Sequence, residues 1–100
     1  MSTMDRIIRE EARLIILKEL QSQPDGRLNS SMLVDVLATF GITKSREWLH
    51  DELRQMAELG VIIARDISSV RVAQLTAKGL DHVERRIVIE GIKRPSMPEA

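Results

Sequence analysis

Across Gly60 the apolar residues change their period, and this most restricts what the chain can fold into. Before Gly60, Leu49, Leu53 and Met56 recur at helical spacing with Ala57 beside them. After it, residues 61–65 and 70–75 are two β-rich runs separated by residues 66–69. In the second run Val70, Val72 and Gln74 point one way, and Arg71, Ala73 and Leu75 point the other. A helix that runs directly into a hairpin excludes an all-helical bundle and leaves no room for a parallel sheet.

The segments before this point read as three helices. Residues 4–21 contain no Gly or Pro, and Pro24, Asp25 and Gly26 follow as a turn. Ile7, Ile8, Ala12, Leu14, Ile15, Ile16, Leu17 and Leu20 cover far more than one face of this first helix. Only a strip with Arg6, Glu10 and Arg13 is mainly polar. A helix apolar on most sides needs more cover than a small domain supplies, so the expected cover is a second copy, through Ile7, Ile8, Leu14 and Ile15. Asn29 or Ser30 caps a second helix with the stripe Leu33, Val36, Leu37, Phe40, and Gly41 sits where a left-handed residue ends it. Ser45 caps the third helix, residues 46–59, and Gly60 terminates it. Thr76 caps a last helix with Leu80, Val83 and Ile87 on one side.

The predicted fold is therefore mostly α with a small β-hairpin, in the order helix-helix-helix-hairpin-helix, which is the winged helix-turn-helix topology. The 100 residues fit one domain, placed at residues 1–90, with residues 91–100 as a flexible Pro-containing C-terminal tail. Phe40 and Trp48 are the only aromatic residues, so the core must be aliphatic, and base-stacking platforms for single strands are missing. There is no cysteine, which excludes disulfides and thiolate metal sites, and no apolar run approaches a membrane span. With Asp5, Arg6, Arg9, Glu10 and Glu11 where a secretion signal needs apolar residues, the expected location is cytoplasmic.

Catalytic chemistry is not expected, nor is a cofactor or a metal. His50 and His82 each stand beside carboxylates, but neighbouring helix positions diverge, so both read as surface histidines. Ser30-Ser31 and Ser68-Ser69 have no histidine nearby in sequence, and the five glycines are isolated.

Double-stranded DNA is the first partner the pattern suggests, because the second helix of a helix-turn-helix reads base edges with its N-terminal residues. Lys44, Ser45 and Arg46 suit phosphates or guanine edges, Arg54 and Gln55 lie outside the apolar stripe, and Gln55 can pair with adenine. On the hairpin, Arg65 and Arg71 are candidates to clamp phosphates. Charge argues the other way. Fifteen basic residues balance 15 acidic ones, and Glu47, Asp51, Glu52 and Glu58 make the third helix acidic. Trp48 is read as leaning over the core edge, with an exposed protein-binding anchor as the alternative.

Leu53-x-x-Met56-Ala57-Glu58-Leu59-Gly60-Val61-Ile62, the hairpin, and then Leu75-Thr76-Ala77-Lys78-Gly79-Leu80 resemble bacterial winged-helix regulators. Arg13 to Leu17, Leu28-Asn29, Ser45-Arg46, Leu75-Thr76-x-x-Gly79-Leu80-Asp81 and Gly91-Ile92-Lys93-Arg94-Pro95-Ser96 resemble a family of small proteins carried by Mu-like prophages. That resemblance implies a phage-encoded protein with a winged-helix fold. Two functions follow as expectations: a dimeric DNA-binding transcriptional regulator, or a non-catalytic interaction module that holds another phage protein during assembly or packaging.

Overall fold

The computed structural model describes residues 2–97. Seven elements follow in order: α1 (Thr3–Gln21), β1 (Arg27–Asn29), α2 (Ser30–Thr39), α3 (Arg46–Glu58), β2 (Ile62–Ile67), β3 (Val70–Leu75) and α4 (Ala77–Val83). The strands form one antiparallel sheet in the order β1-β3-β2.

Every helix starts on a short polar side chain that accepts a backbone N–H: Ser2 from Asp5, Asn29 from Met32, Ser45 from Trp48 and Thr76 from Gly79. The three caps expected at Asn29, Ser45 and Thr76 are present. α1 runs through the centre of the domain, with Ala12, Leu14, Ile15, Ile16, Leu17 and Leu20 buried against α2, α3, β3 and α4. The expected second copy is therefore not needed to cover Leu14 and Ile15, because the chain's own elements do it. Of the four residues proposed for a dimer contact, only Ile7 is exposed and Ile8 half-buried.

Further differences each have a physical cause. A third strand, β1, joins the expected hairpin by pairing Leu28 with Ala73; three residues are too few to display alternation. Phe40 is not on the core stripe but 59% exposed, because α2 ends before it. Gly41 then turns the chain at φ +84, and the Ile42 N–H returns to the Leu37 carbonyl, so that Ile42 packs against the core instead.

The last helix also stops early, at Val83, and Ile87 is exposed. Arg85 takes φ +64 there, and the chain then crosses α1 as a strap that buries Ile89 and Ile92. Residues 91–93 are accordingly part of the packed domain rather than the start of a loose tail. The Lys93 N–H donates to the Glu10 carbonyl (3.2 Å) and the Lys93 ammonium pairs with Glu11 (2.7 Å). Residues 98–100 of the expected tail lie outside the described residues.

His82 fastens the strap and is fully buried, not a surface histidine. Its Nδ1 accepts the Ile89 N–H (3.2 Å), which leaves Nε2 to donate to the Lys93 carbonyl (2.9 Å). At the α3–hairpin–α4 corner, Thr76 holds three contacts. Its N–H donates to the Val61 carbonyl, its hydroxyl donates to the Gly60 carbonyl, and its oxygen accepts the Gly79 N–H. Among the described residues no helix is long and apolar enough to cross a membrane.

Candidate functional site

The N-terminal turn of α3 places three of the candidate residues together. Ser45 is spent on the cap, its Oγ accepting the Trp48 N–H (3.1 Å). Lys44 stands 5.4 Å above the Trp48 ring, and Trp48 itself is half-buried against the core edge, as expected. These two residues, with Asp5, Ile8 and Arg9 of α1, line a hollow of about 240 Å³. Arg46 is exposed and makes no ion pair among the described residues.

Further along α3 the candidates are already engaged. Arg54 lies between Asp51 (2.7 Å) and Glu58 (2.9 Å). The hydrogen bond from Arg54 holds the Asp51 carboxyl below its ordinary value, with help from Gln55. The outer ridge of the helix, at Glu47, Asp51, Arg54 and Glu58, thus carries three carboxylates and one guanidinium, which Asp51 and Glu58 hold. Gln55 turns inward: its Oε1 accepts from Arg13 Nη2 (2.7 Å) and its Nε2 donates to Asp51 (2.9 Å).

The hairpin separates the two arginines that sequence reading pairs as a clamp. Register sets Arg65 opposite Val72 and Asp66 opposite Arg71, so Arg65 and Arg71 emerge on opposite faces of the sheet. Arg65 is exposed on the outer face with Ile63 and Ile67. Arg71 faces α3, where Nε binds Asp66 (2.7 Å) and Nη1 binds the His50 carbonyl (3.0 Å). The Arg71 hydrogen bond, and then its charge, hold the Asp66 carboxyl below the usual range. Arg54 and Arg71 do meet, across an open cleft of about 400 Å³ that also contains Ala57, Glu58, Ala64 and Asp66.

Two buried polar groups were not legible as partners. Ser30 Oγ accepts the Arg71 N–H (3.0 Å) and meets His50 Nε2 at 2.9 Å, so a histidine far away in sequence is its neighbour in space. The serine is fully buried, and its oxygen is held by the backbone of β3. It is a junction of α2, α3 and the hairpin that no substrate reaches. Glu52 is the second. It is 0% exposed, with Oε1 accepting from Arg13 Nε (3.0 Å) and Oε2 3.6 Å from Arg9 Nε. Arg13, also buried, spends its other nitrogens on Gln55 and the Gly91 carbonyl (3.1 Å), tying α1, α3 and the strap together. Its position in the polar strip of α1 hid that role, since charge in a helix ordinarily signals solvent.

No family model matches this chain, and no solved structure matches it. The chain is similar to the uncharacterized protein gp26 of Escherichia phage Mu, with 32% identity over 89 residues that span 89% of this chain and 92% of that protein. Identity at that level along almost the full length of both proteins agrees with the resemblance to Mu-like prophage proteins. The chain belongs to the family of the phage Mu gp26 protein.

Proposed function

We propose that this is a winged-helix protein that binds double-stranded DNA through the N-terminal turn of α3 and the outer face of the hairpin. The observation that carries this reading is the connectivity: helix, strand, two helices, then two strands, with β1 closing onto β3 beside the β2–β3 hairpin. In winged helices that order places the third helix for the major groove and the hairpin beside it as the wing.

The charges restrict how such a complex forms. Asp51 and Glu58 of the outer ridge keep phosphates away from the C-terminal two-thirds of α3, whereas its N-terminal end sets Lys44, Arg46 and the positive end of the helix dipole against the single acid Glu47. Arg65 supplies a contact from the wing, and Arg54 and Arg71 remain with their carboxylates. Binding is then weak and end-on, with three cations per copy.

Fluorescence anisotropy of a labelled random duplex, titrated across a salt series, tests this. Three engaged cations give a slope of log affinity against log salt of about −3 per copy, at about 0.9 for each phosphate. Arg46→Ala and Arg65→Ala each make the slope shallower by about 1. No retention of duplex at low salt overturns the reading. One observation favours a second function, a non-catalytic module that holds a protein partner: the same acidic ridge, which suits a basic protein surface better than a phosphate backbone.

A further inference from the structure

The N-terminal turns of α1 are the least covered part of that helix, with residues 3–7 all exposed. Met4 and Ile7 share one face of the helix, at 61% and 50% exposure, and Val88 of the strap is 63% exposed. Ile7 and Val88 line one open groove between α1 and residues 88–94, and Val88 continues into a smaller hollow with Ile87 and Pro95. Ile7 and Val88 on the groove, with Met4 beside Ile7 on the helix and Ile87 beside Val88 on the strap, make an exposed apolar patch of the kind that marks an interaction surface. It differs from the contact expected at Leu14 and Ile15, which are buried within the domain.

We propose that this groove receives a second copy of the chain in a twofold contact. The rim charges identify the occupant. Arg6 faces Glu10 on its own helix (3.8 Å) and Lys93 is bound to Glu11 (2.7 Å). That leaves Glu90 and Arg94, both exposed on the same groove and neither ion-paired among the described residues. A twofold axis sets each residue of one copy against its counterpart set on the other, so one unpaired acid and one unpaired base on a single patch complement themselves twice. Nucleic acid or an anionic lipid surface calls instead for a large excess of cations, whereas Arg6, Lys93 and Arg94 line this groove with Glu10 and Glu90, and the first two cations are already paired. The contact stands independently of any DNA binding.

Sedimentation velocity at about 50 µM protein tests it, a range in which a dimer of micromolar dissociation constant is mostly assembled. The wild-type chain sediments as a dimer, and the Ile7→Glu, Val88→Glu double variant as a monomer with an unchanged circular-dichroism spectrum and melting curve. Glu90→Arg and Arg94→Glu each raise the dissociation constant by about tenfold, and the two together restore it, because the reversed pair again complements itself. A wild-type monomer overturns the proposal. So does a dimer that ignores the apolar substitutions, or single reversals that the double variant fails to rescue.

Discussion

Glu52 carries a charge where solvent does not reach, and its value lies in geometry rather than in stabilisation as such. Taking a carboxylate and a guanidinium out of water is costly, and their mutual attraction restores that only when the remaining polar atoms also find partners. Arg13 meets this condition on its own side by placing three nitrogens on Glu52, Gln55 and the Gly91 carbonyl, whereas Glu52 Oε2 accepts no hydrogen bond and has only the Arg9 charge 3.6 Å away. Glu52→Gln therefore leaves a buried arginine without its counter-charge and lowers the unfolding free energy by about 3 kcal/mol in urea denaturation. The Glu52→Leu, Arg13→Met pair recovers most of that loss, since an apolar pair of similar volume needs no counter-charge. A near-neutral Glu52→Gln variant contradicts this account. The sequence did contain a signal: Glu52 falls three residues after Leu49 and four before Met56, on the apolar stripe itself. Periodicity alone treats such a residue as an interruption, because the partner that makes it a core residue lies on another helix.

At the scale of elements, the helix caps and the hairpin were readable because each rests on contacts within a few residues of sequence. Ser45 and Thr76 bond to amides three positions away, and Gly60 precedes the hairpin with φ +81. The elements that were missed depend on distant partners. β1 exists only through its pairing with β3, and the strap only through α1 and His82. Gly79 shows how a local motif can conceal a distant requirement. A Cβ placed there collides with the Val61 carbonyl and approaches Leu75 Cδ1 to 2.8 Å, so the glycine lets α4 lie directly on the chain entering β2. Alanine in a helix is ordinarily favourable over glycine by about 1 kcal/mol. Gly79→Ala instead destabilises by about 2 kcal/mol or more, since the obstacle is backbone that cannot swing aside. A raised melting temperature for this variant rules out the close approach. Of the candidate DNA face, the sequence made the cap turn of α3 legible. The capture of Gln55 and Arg71 was not, because Arg13 and the His50 carbonyl, which hold them, belong to other elements, whereas the partners of Arg54 stand three and four positions away on its own helix.

For the whole molecule, the strap determines how much of α1 belongs to the cooperative unit. Its first backbone bond to the helix falls at Glu10, and the fully buried run begins at Ala12. N-terminal to that point the amides of α1 are protected only by their own helix, and a free helix end of this length opens readily. Native-state hydrogen exchange then divides α1 in two. Amides at residues 7–9 exchange through local opening, while those at residues 16–20 exchange only when the domain unfolds. Uniform protection along the helix in a dilute sample excludes this division. Because the frayed turns also carry Met4 and Ile7, raising the protein concentration slows exchange at residues 7–9 and leaves residues 16–20 unchanged. The end of α1 that the strap leaves free is thus ordered by association, and its exchange rate becomes a measure of how often two copies meet.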